Sequence, residues 1–205
     1  MTQVLVTAGP TREHIDDVRF ISNASSGRMG YAVARAAAAA GHRVVLISGP
    51  VERTVPPGVK LVPVTSAIDM RKAVRDAFPR SDCVIMTAAV SDYRPARRTR
   101  GKMKKGPAKL TLDLVRNPDI LAEIGRRKGC RLLIGFALET ADAEKNARAK
   151  LDAKNLDYIV LNSPAAMGAV RIDAVILGRD GSRIGMRNVG KLRLARRIVA
   201  LIPAK

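Results

Sequence analysis

VLVTAG (residues 4–9), RFISNASSGRMG (19–30) and MGYAVARAAAAAGH (29–42) lie together at the start of the chain, and their reading decides the fold. The first is a run of β-branched and small residues that reads as a buried strand, and the last has the composition of a helix. A βα turn needs only about 2–6 residues, yet Pro10 to Gly27 intervene, with an arginine, an asparagine and two serines near the end. The extra residues either hold a ligand or form a surface loop in which Ser25 or Ser26 merely caps the helix. Gly27 and Gly30 flank the helix start, where free N–H groups and the dipole favour an anion.

Working outward, strands and helices alternate. VLVT (4–7) is followed by a helix near 26–40, RVVLIS (43–48) by a Gly-Pro turn, and KLVPV (60–64) by a helix near 66–77. CVIMTAA (83–89) opens a long basic loop, RPARRTRGKMKKG, and KLTLDLV (109–115) alternates as a strand with one solvent-facing side. Asn117 and Pro118 read as an N-cap and first position of a helix over 118–127. RLLIGFA (131–137), a charged helix over 142–154 and DYIVLN (157–162) complete the series. IDAVILGRDGSRIGM (172–186) reads as two strands around an Asp-Gly turn, and a basic helix spans Lys191 to Ile202. The expectation is an α/β fold over 1–205 as a single domain: a Rossmann-like, mostly parallel sheet with helices on both faces and a C-terminal antiparallel hairpin. Ligands of such sheets bind at the carboxyl ends of the strands, near the switch point of strand order. That rule selects the segments after Thr7, Ala89 and Ala137.

Composition narrows the function. Hydrophobic residues make up 47% of 205, enough for a core. No apolar run has the length of a membrane span, and the N-terminus lacks a signal-peptide pattern. Cys83 and Cys130 stand alone, without metal or redox spacing, and a cytoplasmic location is expected. Lys and Arg number 37 against 18 Asp and Glu, a net charge of +19 that attracts polyanions. Aromatics are only 3%, too few for a single-strand stacking platform. Nucleic acid is therefore expected to adhere only non-specifically, and the alternative of a nucleic-acid-binding protein on a nucleotide-binding fold requires binding that survives physiological salt. A nicotinamide-dependent reductase is a second alternative. It loses its main support because G-x-G-x-x-G is absent after the first strand.

Several other segments bear chemistry. Small residues in TAAVSDYRP (87–95) let a ligand approach the backbone, and Asp92 suits a ribose hydroxyl or a metal-bound water. GKMKKG (101–106) reads as a mobile cationic loop suited to a phosphoryl group. RNPDIL (116–121) supplies a second helix start. Lys150 and Lys154 lie one turn apart on a helix, where they either decorate solvent or grip a triphosphate. His14 and His42 have no partners at suggestive spacing.

In order along the chain, TAGPTRE, VRFISNASSGRMG, AAVSDYRP, KMKK, RNPDIL, GFALET and the lysines of ARAKLDAKN resemble the phosphopantothenate–cysteine ligase family, also called phosphopantothenoylcysteine synthetase, of the bacterial CTP-dependent type. The resemblance is to the ligase domain of the bifunctional coenzyme A biosynthesis protein. It implies an enzyme that joins 4'-phosphopantothenate to L-cysteine with CTP and Mg²⁺ through an acyl-cytidylate, giving phosphopantothenoylcysteine, CMP and pyrophosphate. By the same resemblance Asn23 contacts the acyl-cytidylate with Arg19 nearby, and Lys102 supports transfer to cysteine. The nucleotide would be held by Met86, Thr87, Ala88, Asp92, Lys102, Pro118, Asp119, Ile120, Leu121, Phe136, Lys150 and Lys154. No residue is assigned as a direct metal ligand. A homodimer is implied, as is a separate or fused flavin-dependent decarboxylase, with no flavin expected in this chain. The family usually has Asn-Asp after the strand at 157–162, then a longer loop with Ser-Asp-x-Asn. Here Asn162 precedes Ser163 and the loop to Arg171 is short.

Overall fold

The structure, a computed structural model, describes residues 1–104, 106, 108–163 and 169–203. Lys105 of the basic loop and most of the short loop after Ser163 lie outside the described residues. In chain order the elements are β1 (Gln3–Ala8), β2 (Arg12–His14), β3 (Phe20–Ser22), α1 (Arg28–Ala39), β4 (Arg43–Ser48), β5 (Val59–Pro63) and α2 (Ala67–Ala77). There follow a 3-10 turn (Phe78–Arg80), β6 (Cys83–Met86), β7 (Tyr93–Pro95), β8 (Leu114–Arg116), α3 (Ile120–Gly125) and β9 (Leu132–Leu138). The last are α4 (Ala143–Ala153), β10 (Tyr158–Asn162), β11 (Arg171–Gly178), β12 (Arg183–Gly190) and α5 (Lys191–Val199).

Eight strands form one sheet in the order β12-β11-β10-β9-β6-β1-β4-β5. β5, β4, β1, β6, β9 and β10 pair in parallel, while β11 and β12 run antiparallel at one edge. Two-residue alternation sorts the side chains. Val4 and Val6 join one core beneath α1 and α5, and Leu5 joins the other with Val74, Ile124 and Leu151 of α2, α3 and α4. Both faces of the sheet are thus covered, as the near-continuous apolar strands require.

Local chemistry sets the helix ends. Ser66 and Asp69 form a reciprocal capping box at the start of α2, and buried Glu13 accepts from the Ala67 N–H at 2.9 Å. α1 stops at Gly41, whose φ of +83° permits bonds from Gly41 N to Ala38 O and from His42 N to Ala37 O. Two expected caps fall elsewhere. Gly27, at φ +70°, begins α1 with no side-chain cap, so neither Ser25 nor Ser26 fills that role. Asp119, not Asn117, caps α3, accepting from Ala122 N at 2.9 Å. Asn117 is drawn away because its backbone N–H bonds Asp92 O and its amide donates to Ser91 O at 2.8 Å. The alternating KLTLDLV also forms less strand than expected: only Leu114–Arg116 pair, in a two-stranded ribbon with β7.

The chain reverses direction of winding between β1 and β6. Buried Thr7 ties the two strand ends together, its carbonyl accepting from Thr87 Oγ1 at 2.7 Å and its hydroxyl from Ala88 N at 3.2 Å. Gly30 brings α1 onto this junction: a Cβ there would lie 2.4 Å from Ala8 Cβ and 2.6 Å from Thr87 Oγ1. Gly30→Ala is expected to cost about 1–3 kcal/mol through overpacking, read as a lower urea midpoint. Gly185→Ala, whose added carbon meets only the flexible end of Arg183 at 3.5 Å, is the control that stays near wild type.

Candidate active site

At the carboxyl end of the sheet, two cavities open on either side of the Ala88–Asp92 segment. The larger, about 400 Å³, lies between the start of α1 and the ends of β9 and β10. Of the residues singled out in the sequence it is lined by Asn23, Ser25, Ser26, Gly27, Thr87, Ala88, Asp92, Phe136 and Lys150. The smaller, about 200 Å³, is lined by Met86, Ala88, Asp92 and Phe136, and by Pro118, Asp119, Ile120, Leu121 and Lys154. Ala88, Val90, Asp92 and Phe136 belong to both, so the two are one cleft divided by a narrow wall.

The segment forming that wall is held from several directions. Ala89 N bonds Gly9 O and Ala89 O accepts from Thr11 N. Ser91 N bonds Thr11 Oγ1 at 3.1 Å, and Asn23 Nδ2 reaches across to Ala89 O at 3.0 Å. The long polar stretch after β1 is therefore built into the floor of the cleft. Its Asn23 sits directly on the strand end.

Arg19 and Lys102 lie elsewhere. β2 and β3 pair Arg12 with Ser22 and His14 with Phe20, so Arg19 stands near the tip of a hairpin whose base carries Asn23. Neither Arg19 nor Lys102 lines the two cavities, but the fold brings their segments together. Asp16, fully buried, accepts from Val18 N, Arg19 N and Met103 N at 2.7–3.1 Å and from the Arg19 guanidinium at 2.6 Å. Arg19 Nη2 also donates to Met103 O at 2.8 Å. Asp17 adds bonds from Arg98 and from Gly101 N. The described part of the cationic loop is thus moored by two carboxylates, where the lysine run suggested only a mobile loop.

The two lysines of α4 each have a carboxylate partner. Lys154 Nζ lies 2.8 Å from Asp119 Oδ2, and Lys150 pairs with Glu139. Burial pushes the Asp119 carboxyl up, and the Lys154 ammonium and the Ala122 N–H bring it below its ordinary value. Glu139, within GFALET, and Arg28, within RFISNASSGRMG, received no role of their own in the sequence reading, nor did Lys191 and Asn162; Arg28, Lys191 and Asn162 also line the larger cavity. Asn162 is 9% exposed and its Oδ1 has no partner among the described residues. No signal local to the sequence marks Asn162 and Lys191, because strand order alone brings the end of β10 and the residue after β12 to the cleft.

A doubly wound sheet with a cleft at its switch point defines the class: an α/β fold whose small-ligand sites lie at the strand ends. The chain belongs to the DNA/pantothenate metabolism flavoprotein C-terminal domain family, whose profile matches residues 1–204. It is 48% identical over 206 residues to the coenzyme A biosynthesis bifunctional protein CoaBC of Bacillus subtilis (strain 168), covering 98% of this chain and 51% of that protein. CoaBC of Mycobacterium bovis is 42% identical over 215 residues, again 98% of this chain and 51% of the relative. The chain thus spans about half the length of these curated relatives. Among solved structures, the C-terminal domain of a CoaBC superposes with a TM-score of 0.86 at 40% identity, over 98% of this chain and 93% of that one.

The buried anchor at Asp16 has a measurable consequence. The Arg19 N–H first, then the Val18 and Met103 N–H groups and the Arg19 guanidinium, outweigh burial and hold its carboxyl far below the ordinary value. With the folded value depressed, the mooring is complete above the unfolded value of about 3.9 and is lost only as pH falls through the much lower folded one. Asp16→Asn mimics that protonated state at neutral pH. Trypsin at pH 8 is expected to cut the 97–104 segment several-fold faster in this variant than in wild type, as followed by mass spectrometry.

Proposed function

We propose that this chain is the phosphopantothenate–cysteine ligase of coenzyme A biosynthesis, using CTP as the activating nucleotide. The observation that carries the reading is the continuous cleft at the switch point, in a chain of this family. Eleven of the twelve residues expected to hold the nucleotide, all but Lys102, line it together with Asn23. The reaction is a two-step condensation. The substrate carboxylate oxygen attacks the α-phosphorus of CTP, the bond to the β-phosphate oxygen breaks and pyrophosphate leaves. The amine of L-cysteine then attacks the acyl carbon, the acyl–oxygen bond breaks, CMP departs and the amine loses a proton.

The residues supply positioning and charge. Backbone at Met86, Thr87 and Ala88 meets the nucleotide without side-chain bulk, and Phe136 and the 118–121 segment wall it. Lys150 and Lys154 offer cations to its phosphates. Asn23, fixed on the strand end, orients the acyl phosphate, and Lys102, tethered through its neighbour Met103 to Arg19 and Asp16, supports transfer to cysteine. Among the described residues no cluster of three or more His, Cys, Asp or Glu could cage a metal. Mg²⁺ usually binds through one or two carboxylates together with substrate phosphates, and Asp92, shared by both cavities, fits that requirement. When bound, Mg²⁺ supplies neutralising charge to the phosphates. This reading has the protein work in the cytoplasm with a fused or separate flavin-dependent decarboxylase.

A homodimer is part of this reading. Leu110, Leu112, Leu114 and Val115 are exposed along one arm, with Leu110 at 64%, a patch that a second copy would cover. Leu110→Asp with Leu114→Asp is expected to convert a dimer to a monomer in light scattering, and an unchanged mass would refute this role of the arm.

The activity test is pyrophosphate release with CTP, phosphopantothenate, L-cysteine and Mg²⁺ together, run beside ATP and the other nucleotides. Release with CTP is expected, and folded protein that releases none above background overturns the reading. Lys102→Gln should block transfer to cysteine while acyl-cytidylate still forms. Asn23→Asp removes the donor to Ala89 O and sets a negative charge beside a phosphate, so about a ten- to hundredfold loss of rate is expected.

A further inference from the structure

A third depression, of about 630 Å³, lies beside the cleft on the side away from the residues assigned to the nucleotide. It runs between α1, the 53–57 segment and the start of α5. Four of its residues are cationic, Arg28, Arg35, Arg53 and Lys191, and none of its described lining residues is acidic. Positive patches are unremarkable on a chain of net charge +19. Convergence from three separate elements is more demanding.

Arg28, Tyr31, Ala32 and Arg35 follow the spacing of a single helical face. Tyr31 and Ala32 are buried, so the two arginines border an apolar strip along the groove. Arg53 Nε donates to Ser26 O at 2.8 Å, and its Nη groups make no hydrogen bond with described residues. Lys191 is the first residue of α5, whose cap, Gly190, offers no side-chain acceptor, and α1 likewise begins at Gly27 without one. Neither first turn contains an acid. The positive ends of two helices therefore face a groove already lined by cations. Burial, then Arg28 and Arg53, hold the Lys191 ammonium below its ordinary value. An anion would relieve that crowding.

We propose that this groove is a phosphoryl site, and that it takes the terminal phosphate of the acyl substrate. The assignment to that substrate rests on the ligase reading above. The two candidate sources are the nucleotide and the phosphorylated acid, and position separates them. The nucleotide residues extend from Phe136 toward Lys154 and the 118–121 segment, on the far side of the cleft. Arg28 and Lys191 line both the groove and the 400 Å³ cavity, so an extended ligand passes from one to the other. Such a ligand, carboxylate at one end and phosphate at the other, spans the route with its reacting end at the cleft. Asn162, on the cavity wall, offers its unpartnered Oδ1 to an amide or hydroxyl hydrogen of the linking chain.

Arg35 and Arg53 line the groove and neither of the other two cavities; because Arg53 also holds Ser26 O on the wall of the larger one, Arg35→Gln alone is measured beside the double variant. In wild type, calorimetry should find phosphopantothenate bound at least about tenfold tighter than pantothenate. Arg35→Gln with Arg53→Gln should remove that preference and raise KM for phosphopantothenate about ten- to hundredfold, with KM for CTP unchanged. Arg53→Lys should restore part of the loss. An unchanged KM for phosphopantothenate in the active double variant overturns the proposal. A rise in KM for CTP instead overturns it too, because the groove would then belong to the nucleotide. Arg35→Gln alone, on an exposed helical face, serves if the double variant fails to fold. Should wild type lack ligase activity, the ligase reading falls by itself. Titration with inorganic phosphate then decides the groove: binding lost in the double variant supports the phosphoryl site, and equal or absent binding in both proteins removes it.

Discussion

Everything at the functional end of this molecule depends on the close approach of α1 to the junction of β1 and β6. Gly30 has no side chain to hold the helix away, and a Cβ would overlap Ala8 and Thr87. The strands diverge at that point, and Thr7 bridges the divergence with a carbonyl and a hydroxyl that bind Thr87 and Ala88. A helix seated so low points its uncapped first turn into the gap between the strand ends. The cleft, its narrow wall and the neighbouring basic groove all follow from that one approach.

The wall is thin because it is backbone. Residues 87–90 are Thr, Ala, Ala and Val, and the main-chain groups of Ala88 and Ala89 are bonded to Thr7, Gly9 and Thr11. A segment this well satisfied leaves little freedom to shift when a ligand enters. Bulkier residues would close one cavity or the other. Mooring of the basic loop is equally economical. One buried carboxylate, Asp16, bonds three main-chain N–H groups and one guanidinium, so loop, hairpin tip and Arg19 form one unit.

Much of this was legible in the sequence, and the parts that were not share a cause. Periodicity located the main strands and helices, because burial on both sheet faces leaves continuous apolar runs. The motif residues after β1, β6 and β9 were locatable because strand ends at a switch point are where such folds bind ligands. Asn117 was misread as a cap because Asn-Pro is a strong local signal, yet a contact with Ser91, 26 residues away, claimed its amide. The anchoring by Asp16 depends on Met103, 87 residues later, and no local pattern announces it. The groove residues Arg53 and Lys191 meet only because α5 returns to pack on α1. Local chemistry was readable; partnership across the chain was not.

The lysines of α4 illustrate what partnership adds. Lys150 and Lys154 were readable as a grip for a polyphosphate or as solvent decoration, and the structure pairs each with a carboxylate. Each pair joins one half-exposed and one more buried side chain; in the proposed ligase the phosphates of the nucleotide would compete with these carboxylates for the lysines. Asp119 has a second task besides pairing with Lys154, since the same side chain caps α3 through Ala122 N. Glu139 is held by its backbone, whose N–H bonds the carbonyl of Asn162 across β9 and β10. Both carboxylates are thus fixed independently of their lysines. In the proposed ligase, these pairs keep two cations ordered beside the cleft until the phosphates of the nucleotide take them over.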